Sequence, residues 1–420
     1  MRILYINHYA GSPRHGMEFR PYYLAREWVA LGHEVNIVAA DYSHLRQENP
    51  TLTGPFLDET LDGIRYTWCR TPRYAGNGVK RVVNIFAFLR RLMGLSRRFL
   101  RDWKPDVVIA SSTYPLDIVP AAFFAGRTGA RLVYEVHDLW PLTPVEVGGM
   151  SPKHPFIRLL QWAEDFAYRR ADAVVSMLPC AREYMQAHGM APEKFRVVPN
   201  GVDVAEWESA TLALPDAHRA LLEELKATGR FIVGYAGGHG LANALDVLLD
   251  AAARLDGVPV SFVLVGDGPD RGRLMEETGR RGLANVHFLP AIAKRAVPNF
   301  LAACDALYIG WRKLPIYRFG INPNKLFDYM MAGRPVIHSI SAGNDLVAEA
   351  QAGVSVPAED AVAVAGAVEA MMALSPGDRA RMGASGRTHV RAHHDYRVLA
   401  RRFAEAFRTA QVGSSAALER

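Results

Sequence analysis

The chain has 420 residues, half of them hydrophobic and 22% charged, with a net charge of +6 and a pI near 9.2. That composition excludes a globally disordered chain, and the length suggests about two to three domains. Cys69, Cys180 and Cys304 stand far apart with no CxxC pair, which argues against a disulfide framework or a zinc site and fits a reducing cytoplasm. The apolar run at the N-terminus is too short for a signal peptide, and no run approaches the ~18 residues of a membrane span. Residues 1–200 carry 25 Lys and Arg against 19 Asp and Glu, while the remainder is balanced at 24 of each. The excess positive charge therefore belongs to the N-terminal half.

In chain order, Ile3–Asn7 reads as a strand. The loop His8–Pro21 follows, and its fourteen residues are long for a βα connection, which usually takes about 2–6. Its glycines, Gly11 and Gly16, allow close approach of backbone to a ligand, and Arg14, His15 and Arg20 add positive charge. A solvated loop is the plain alternative. The GxGxxG spacing of a dinucleotide site is absent. A helix at Tyr22–Leu31, a Gly32-His33 turn and a strand at Glu34–Ala40 come next.

Lys80–Lys104 holds eight basic residues, Arg90, Arg91, Arg97 and Arg98 among them, against one acid, Asp102. At 100° per residue, Val82, Ile85, Phe86, Leu89, Leu92, Met93, Leu100 and Trp103 form one stripe. The pattern fits an amphipathic helix on an anionic membrane surface, or a domain helix with a solvated basic face. Nucleic acid is a poor partner, because no recognition motif and no aromatic platform accompany the charge.

Strands are expected at Val107–Ser112, Arg131–His137, Ala173–Met177 and Arg196–Val198. His137 and Asp138 emerge at the end of the second of these, where an imidazole could hydrogen-bond a sugar hydroxyl or could be structural. The join between halves falls between Asn200-Gly201-Val202-Asp203 and Phe231.

The second half repeats the logic, with strands at Phe231–Ala236, Val260–Gly266, Val286–Leu289, Ala306–Gly310 and Pro335–Ile340, and a helix at Leu245–Leu255. After the first strand, Gly237-Gly238-His239-Gly240 could cradle a diphosphate with its backbone N–H groups or form a tight turn. Gly266-Asp267-Gly268-Pro269 reads as ordinary turn chemistry. Arg312, Lys313 and Arg318 precede a short helix opened by Pro323 and closed by Gly333. Lys325 and Asp328 sit three apart on that helix, near an end that attracts phosphate. The carboxylate could accept hydrogen bonds from ribose hydroxyls, or the two could form a surface ion pair. The tail from Asp395 to about Gln411 has helical periodicity in Leu399, Phe403 and Phe407.

Alternating strands and helices point to parallel α/β sheets. In such sheets ligands bind beyond the carboxyl ends of the strands. Two such domains face to face would enclose a cleft.

With these residues in view, the chain resembles the family-4 glycosyltransferases of the GT-B fold. The resemblance rests on the glycine-containing first loop, Leu31-Gly32-His33-Glu34-Val35, His137-Asp138 and Val197-Val198-Pro199-Asn200-Gly201-Val202-Asp203. It continues through Val265–Pro269 and Lys325–Pro335. The nearest subgroup builds O-antigen and capsule repeats and includes N-acetylfucosaminyl transferases. The resemblance implies two Rossmann-like parallel-sheet domains across a cleft. Residues 1–200 would bind acceptor, 201–394 would bind nucleotide sugar, and a helix within 395–420 would pack back on the first domain.

It further implies retaining transfer of an N-acetylated amino or deoxyamino sugar from a UDP-sugar to a lipid-diphosphate-linked glycan. The setting would be the inner face of the cytoplasmic membrane, with no cofactor and no essential metal. His137 matches the histidine near donor sugar and acceptor, Asp328 the ribose-binding acid, Gly11 and Gly16 the glycines near the diphosphate, and Leu289-Pro290 the base-binding edge. Asp138 and Lys325 join His137 as catalytic candidates. Gly238, His239, Arg312, Arg318 and Asn324 join the donor site, and Arg14, Arg20, Arg90, Arg91, Arg97 and Arg98 face acceptor or membrane.

The chain departs from the family where Gly238 and Asn243 stand for its usual Arg and Lys, and where Gly320 stands for its first acid. Lys325, supported by Arg312 or Arg318, is expected to meet the phosphate charge instead. A UDP-sugar 2-epimerase of similar fold and a non-catalytic nucleotide-sugar or glycan-binding scaffold are the alternatives.

Overall fold

A computed structural model describes residues 1–76, 78–209 and 212–408. The chain divides into two units. One comprises Met1–Pro199 and the segment from Tyr396 onward, and the other is Asn200–Asp395.

The first unit holds an eight-stranded sheet built from β1 (Arg2–Ile6), β2 (Glu34–Ala40), β3 (Phe56–Leu61), β4 (Ile64–Cys69), β5 (Val107–Ala110), β6 (Arg131–Val136), β7 (Ala173–Ser176) and β8 (Phe195–Val197). Its order is β3-β4-β2-β1-β5-β6-β7-β8. All neighbours are parallel except β3 and β4. The central strands are apolar runs rather than alternations, and every residue of β5 and β7 is buried. That is what a parallel sheet covered on both faces requires.

The β3–β4 hairpin is not among the sequence expectations. It closes on Asp62-Gly63, both at positive φ (49° and 78°), the geometry of a tight I′ turn and the reason Asp-Gly stands there. The polar edge strand FLDETL hid it, since it has no apolar run.

The second unit holds a six-stranded parallel sheet of β9 (Phe231–Ala236), β10 (Val260–Val265), β11 (Val286–Leu289), β12 (Ala306–Gly310), β13 (Val336–Ser339) and β14 (Gly353–Val356), in the order β11-β10-β9-β12-β13-β14. β14 is the one strand here that the sequence reading lacks. Its residues are all half-buried.

The tail forms a helix at Tyr396–Ala404 and a turn at Glu405–Phe407; residues 409–420 lie outside the described residues. The helix belongs to the first unit's core. Phe403 and Phe407 each meet the Trp28 ring at 5.1 Å, Tyr396 stacks on Tyr23 at 4.8 Å, and the Trp28 indole donates to the Ala400 carbonyl at 3.0 Å.

The basic helix is shorter than expected, running Val79–Gly94, and its stripe differs. Asn84, Ile85, Phe88 and Leu92 face inward, while Phe86 and Met93, placed in the buried stripe above, are 46% and 39% exposed. After a turn at Leu95 the chain is helical again over Arg98–Asp102, where Phe99 is the buried residue, so Leu100 and Trp103 do not continue that face.

Candidate active site

In the first unit, the carboxyl ends of β1, β5 and β6 converge on a buried carboxylate. Glu135, next to last in β6, accepts hydrogen bonds from the Tyr5 hydroxyl (2.6 Å), the Ser111 hydroxyl (2.6 Å) and Arg20 Nε (2.8 Å). Arg20 also donates to the carbonyls of Pro199 at 2.6 Å and Val198 at 2.9 Å. Burial alone would raise the Glu135 carboxyl, but Arg20 and then His137 hold it well below the usual carboxylate range.

His137 leans on this group, with Nε2 at 2.9 Å from Ser111 Oγ and 3.3 Å from Glu135 Oε2. The Ser111 proton goes to Glu135, so the imidazole must donate through Nε2. That leaves Nδ1, which makes no hydrogen bond among the described residues, as the outward nitrogen of a side chain 12% exposed. The sequence reading named His137 but gave Glu135 no role.

Several first-unit expectations are corrected. Arg20 is 1% exposed and neutralised by Glu135, so it is not free for acceptor or membrane. Gly11 and Gly16 spend their backbone within the loop rather than on a ligand: Gly11 N–H donates to the Glu18 carbonyl and Gly16 N–H to the Ser12 carbonyl, both at 2.8 Å, and a Cβ on Gly11 would stand 1.9 Å from the Gly16 carbonyl. Both glycines close the loop on itself. Arg14 is paired with Glu59, and Arg98 binds Asp58 with both terminal nitrogens. Arg90, Arg91 and Arg97 make no ion pair among the described residues. Asp138 makes no hydrogen bond to the Glu135 network among the described residues and has Thr143 at a long 3.5 Å; burial raises its carboxyl, with the neighbouring His137 pulling the other way.

In the second unit, the helix Asn324–Met331 is tied to the end of β9 by Tyr329, whose hydroxyl donates to the Ala236 carbonyl at 3.0 Å and accepts from the Ala236 amide at 2.7 Å. The second residue of that helix, Lys325, reaches the loop after β9. Its ammonium donates to the Tyr235 hydroxyl at 3.1 Å and to Asn243 Oδ1, and lies over the rings of Tyr235 (5.1 Å) and Trp311 (5.4 Å). Burial pushes the amine down to about 8. The charge absent at Asn243 in the sequence is thus delivered to Asn243 from another element.

Asp328 turns elsewhere, towards Glu206, Lys294 and Trp207, and burial pushes its carboxyl up to about 6, with Lys294 pulling the other way.

Arg312 is corrected too. It binds Asp246 through Nη2 at 2.7 and 2.8 Å and Glu359 at 3.1 Å, so its charge is matched within the protein. Arg318 is exposed, donates to the Pro315 carbonyl at 2.7 Å and covers the Phe319 ring. His239 is 0% exposed, and burial lowers its imidazole to about 4. Its side chain does not line an open site, which corrects the donor-binding expectation.

Gly238 is exposed, and its carbonyl accepts from the Tyr235 hydroxyl (2.7 Å) and Asn243 (2.8 Å). Its neighbouring loop packs on the next one, where Gly266 has φ 153° and a Cβ would meet the Gly237 carbonyl at 1.9 Å. At the end of β11, the Pro290 carbonyl already pairs with His218 Nε2 at 2.9 Å, while Asn324 is exposed at the helix start.

Among the described residues, Glu164, Asp165 and His188 place ligand atoms close enough to hold a metal. Those atoms are engaged with Gln161, Tyr168 and Tyr184. No helix among the described residues is long and apolar enough to cross a membrane.

Residues 15–201 match the family described as Glycosyl transferase 4-like domain, and residues 230–373 match Glycosyl transferases group 1. The chain is 25% identical over 339 residues to the putative colanic acid biosynthesis glycosyl transferase WcaI of Escherichia coli (strain K12), covering 76% of this chain and 79% of that protein. It is 21% identical over 349 residues to the probable glycosyltransferase WbjE of Pseudomonas aeruginosa, covering 82% of each. Among solved structures, HepE from Anabaena in complex with UDP superimposes with a TM-score of 0.67 at 17% identity, covering 96% of this chain and 99% of that one.

Proposed function

We propose that this chain, which by its two domains is a glycosyltransferase of the GT-B fold, moves a sugar from a UDP-sugar to a lipid-diphosphate-linked glycan in bacterial surface polysaccharide assembly. The observation that carries this reading is the Lys325 ammonium at the glycine loop after β9. A cation there meets the diphosphate that departs when the glycosidic bond to the donor breaks, and stabilising that charge lowers the barrier. Asp328 accepts from the ribose hydroxyls. His137, oriented by Glu135, presents Nδ1 to a sugar hydroxyl. The family's front-face retaining mechanism asks little covalent chemistry of the protein beyond such positioning. No metal is required, because the ammonium supplies the charge.

The names of the relatives support the pathway class: WcaI is described as acting in colanic acid biosynthesis, and TuaH of Bacillus subtilis (strain 168), 26% identical over 213 residues, in teichuronic acid biosynthesis. The neighbour bound to UDP supports the nucleotide.

The helix Val79–Gly94 supports a membrane-held acceptor. It turns Val79, Val83, Phe86 and Met93 to solvent (79%, 52%, 46% and 39% exposed), carries Lys80 and Arg90 beside them, and contains no acid. Such a face suits an anionic leaflet on the cytoplasmic side. An N-acetylated amino or deoxyamino sugar, of the N-acetylfucosaminyl kind, is the donor group proposed from the subgroup resemblance.

Calorimetry with UDP, GDP and ADP, with and without EDTA, tests the reading. UDP-selective binding unaffected by EDTA is expected. Binding of none of the three would refute it.

A further inference from the structure

We propose that Trp311, His338 and Asp345 are positioning residues for the Lys325 ammonium, fixing the aromatic face against which that cation meets the donor's diphosphate. The inference rests on the donor reading of Lys325 above and adds the groups that hold it. Lys325 lies over two rings, Tyr235 at 5.1 Å and Trp311 at 5.4 Å. An ammonium has three N–H donors. Here two are spent on Tyr235 and Asn243, which leaves one for a phosphate oxygen. Where that N–H points depends on the two faces, because each ring's quadrupole attracts the cation.

Both faces must therefore be fixed. Tyr235 ends in a bond from its hydroxyl to the Gly238 carbonyl at 2.7 Å. Trp311, the first residue after β12, is tied through its indole. Its Nε1 donates to His338 Nε2 at 3.2 Å, and His338 Nδ1 lies 3.0 Å from Asp345 Oδ1. An indole N–H can only donate. Nε2 is therefore the bare nitrogen, and Nδ1 carries the proton that Asp345 accepts. The His338 side chain, in β13, is 1% exposed, so water does not compete for either nitrogen. Asp345 is anchored in turn, since Oδ1 accepts from the amides of Val347 (3.1 Å) and Ala348 (3.3 Å) at the start of the turn Leu346–Glu349. Burial alone would raise its carboxyl, but hydrogen bonds, that from His338 foremost, hold it below its ordinary value. A capped turn, a buried imidazole and an indole thus form one relay that ends at the cation, with each donor met by an acceptor.

Two measurements on the full-length protein test it. NMR on isotope-labelled histidine in the ligand-free protein should show His338, assigned by its loss in His338→Gln, protonated at Nδ1 and bare at Nε2; the opposite tautomer would overturn the relay. UDP calorimetry across pH reads the consequence. Trp311→Leu should weaken UDP at least about fivefold. It should also move the alkaline limb of binding to higher pH, since burial is what lowers the Lys325 amine. Trp311→Phe and His338→Leu, which break the tether but keep a ring face, should each cost part of that affinity. His338→Gln, whose amide can accept from the indole and donate to Asp345, should recover most of what His338→Leu loses. Unchanged affinity and an unmoved alkaline limb in Trp311→Leu would overturn the proposal, as would His338→Gln binding as weakly as His338→Leu. Absence of UDP binding in the wild-type protein would instead refute the donor reading, and the tautomer, read without ligand, tells the two failures apart.

Discussion

Lys325 and Asp328 lie three residues apart on one helix, yet their side chains do not pair. The ammonium lies over Tyr235 at 5.1 Å, while the carboxylate answers to Lys294 and Glu206. Each is left available to a different part of one ligand, and each titrates close to neutrality.

UDP affinity should therefore be bell-shaped in pH. Lys325 loses its proton through about 8 rather than its ordinary 10.5, so binding weakens as pH rises past that point. Asp328 gains its proton through about 6, so binding weakens as pH falls below it. Calorimetry from pH 5 to 9.5 reads both limbs. Lys325→Met should abolish the alkaline limb and Asp328→Asn the acid limb; retention of both limbs in both variants would refute the assignments.

Lys325→Met should also weaken UDP itself. Hydrogen bonds to charged groups contribute about 1.5–3 kcal/mol, roughly a 10- to 100-fold change. Of the ammonium's present partners Tyr235 is fully buried and Asn243 half-buried, and methionine keeps most of the lysine stem's packing while Tyr235 keeps its bond to the Gly238 carbonyl, so the fold should survive. A melting curve alongside the titration separates lost charge from lost structure.

Glu135→Ala should destabilise the first unit by about 3–5 kcal/mol, the usual cost of stranding a buried partner, here Arg20. The pH sign is fixed as well. A carboxyl held below its ordinary 4.5 binds fewer protons folded than unfolded, so its contribution is complete above about 4.5 and fades as pH falls. Glu135→Gln should flatten that part of the acid-unfolding curve. An unchanged acid limb would show that Glu135 is not held as described.

Arg90→Glu with Arg97→Glu should reduce binding to vesicles containing anionic lipid, at about 1 kcal/mol per lost positive charge near the surface. Neutral vesicles should show a far smaller change. Sedimentation with both vesicle types distinguishes this face from an ordinary solvated helix, which would show no effect.

Gly266→Ala should destabilise the second unit by about 1–3 kcal/mol through overpacking against the Gly237 carbonyl, and UDP affinity should fall with it because the Gly237 loop facing Lys325 is what shifts. Differential scanning calorimetry resolves the first effect.

The alternation of apolar runs made most of both sheets legible, and β2, β9, β11 and β12 fall on their expected residues. β3 escaped because an exposed edge strand carries polar side chains on both faces. The ends of the site were less legible for a different reason. A sequence shows that Arg20 and Arg312 are cationic but not which carboxylates meet them. Glu135 and Asp246 lie 115 and 66 positions away in the chain. Lys325 was legible because a missing basic residue at Asn243 left a charge to be supplied. The outward faces of Phe86 and Met93 were not, because a helical wheel gives an angle but not which side the sheet lies on.

The placement of Tyr396–Phe407 bears on the order in which the protein can mature during synthesis. Trp28 is made before Asn200–Asp395, but two of the rings that bury it, Phe403 and Phe407, are made after that whole second unit. The first unit therefore emerges with an open seam that the helix Tyr396–Ala404 seals only later. A chain that stops at Pro199 leaves that face of the tryptophan uncovered, for chaperones and proteases to find.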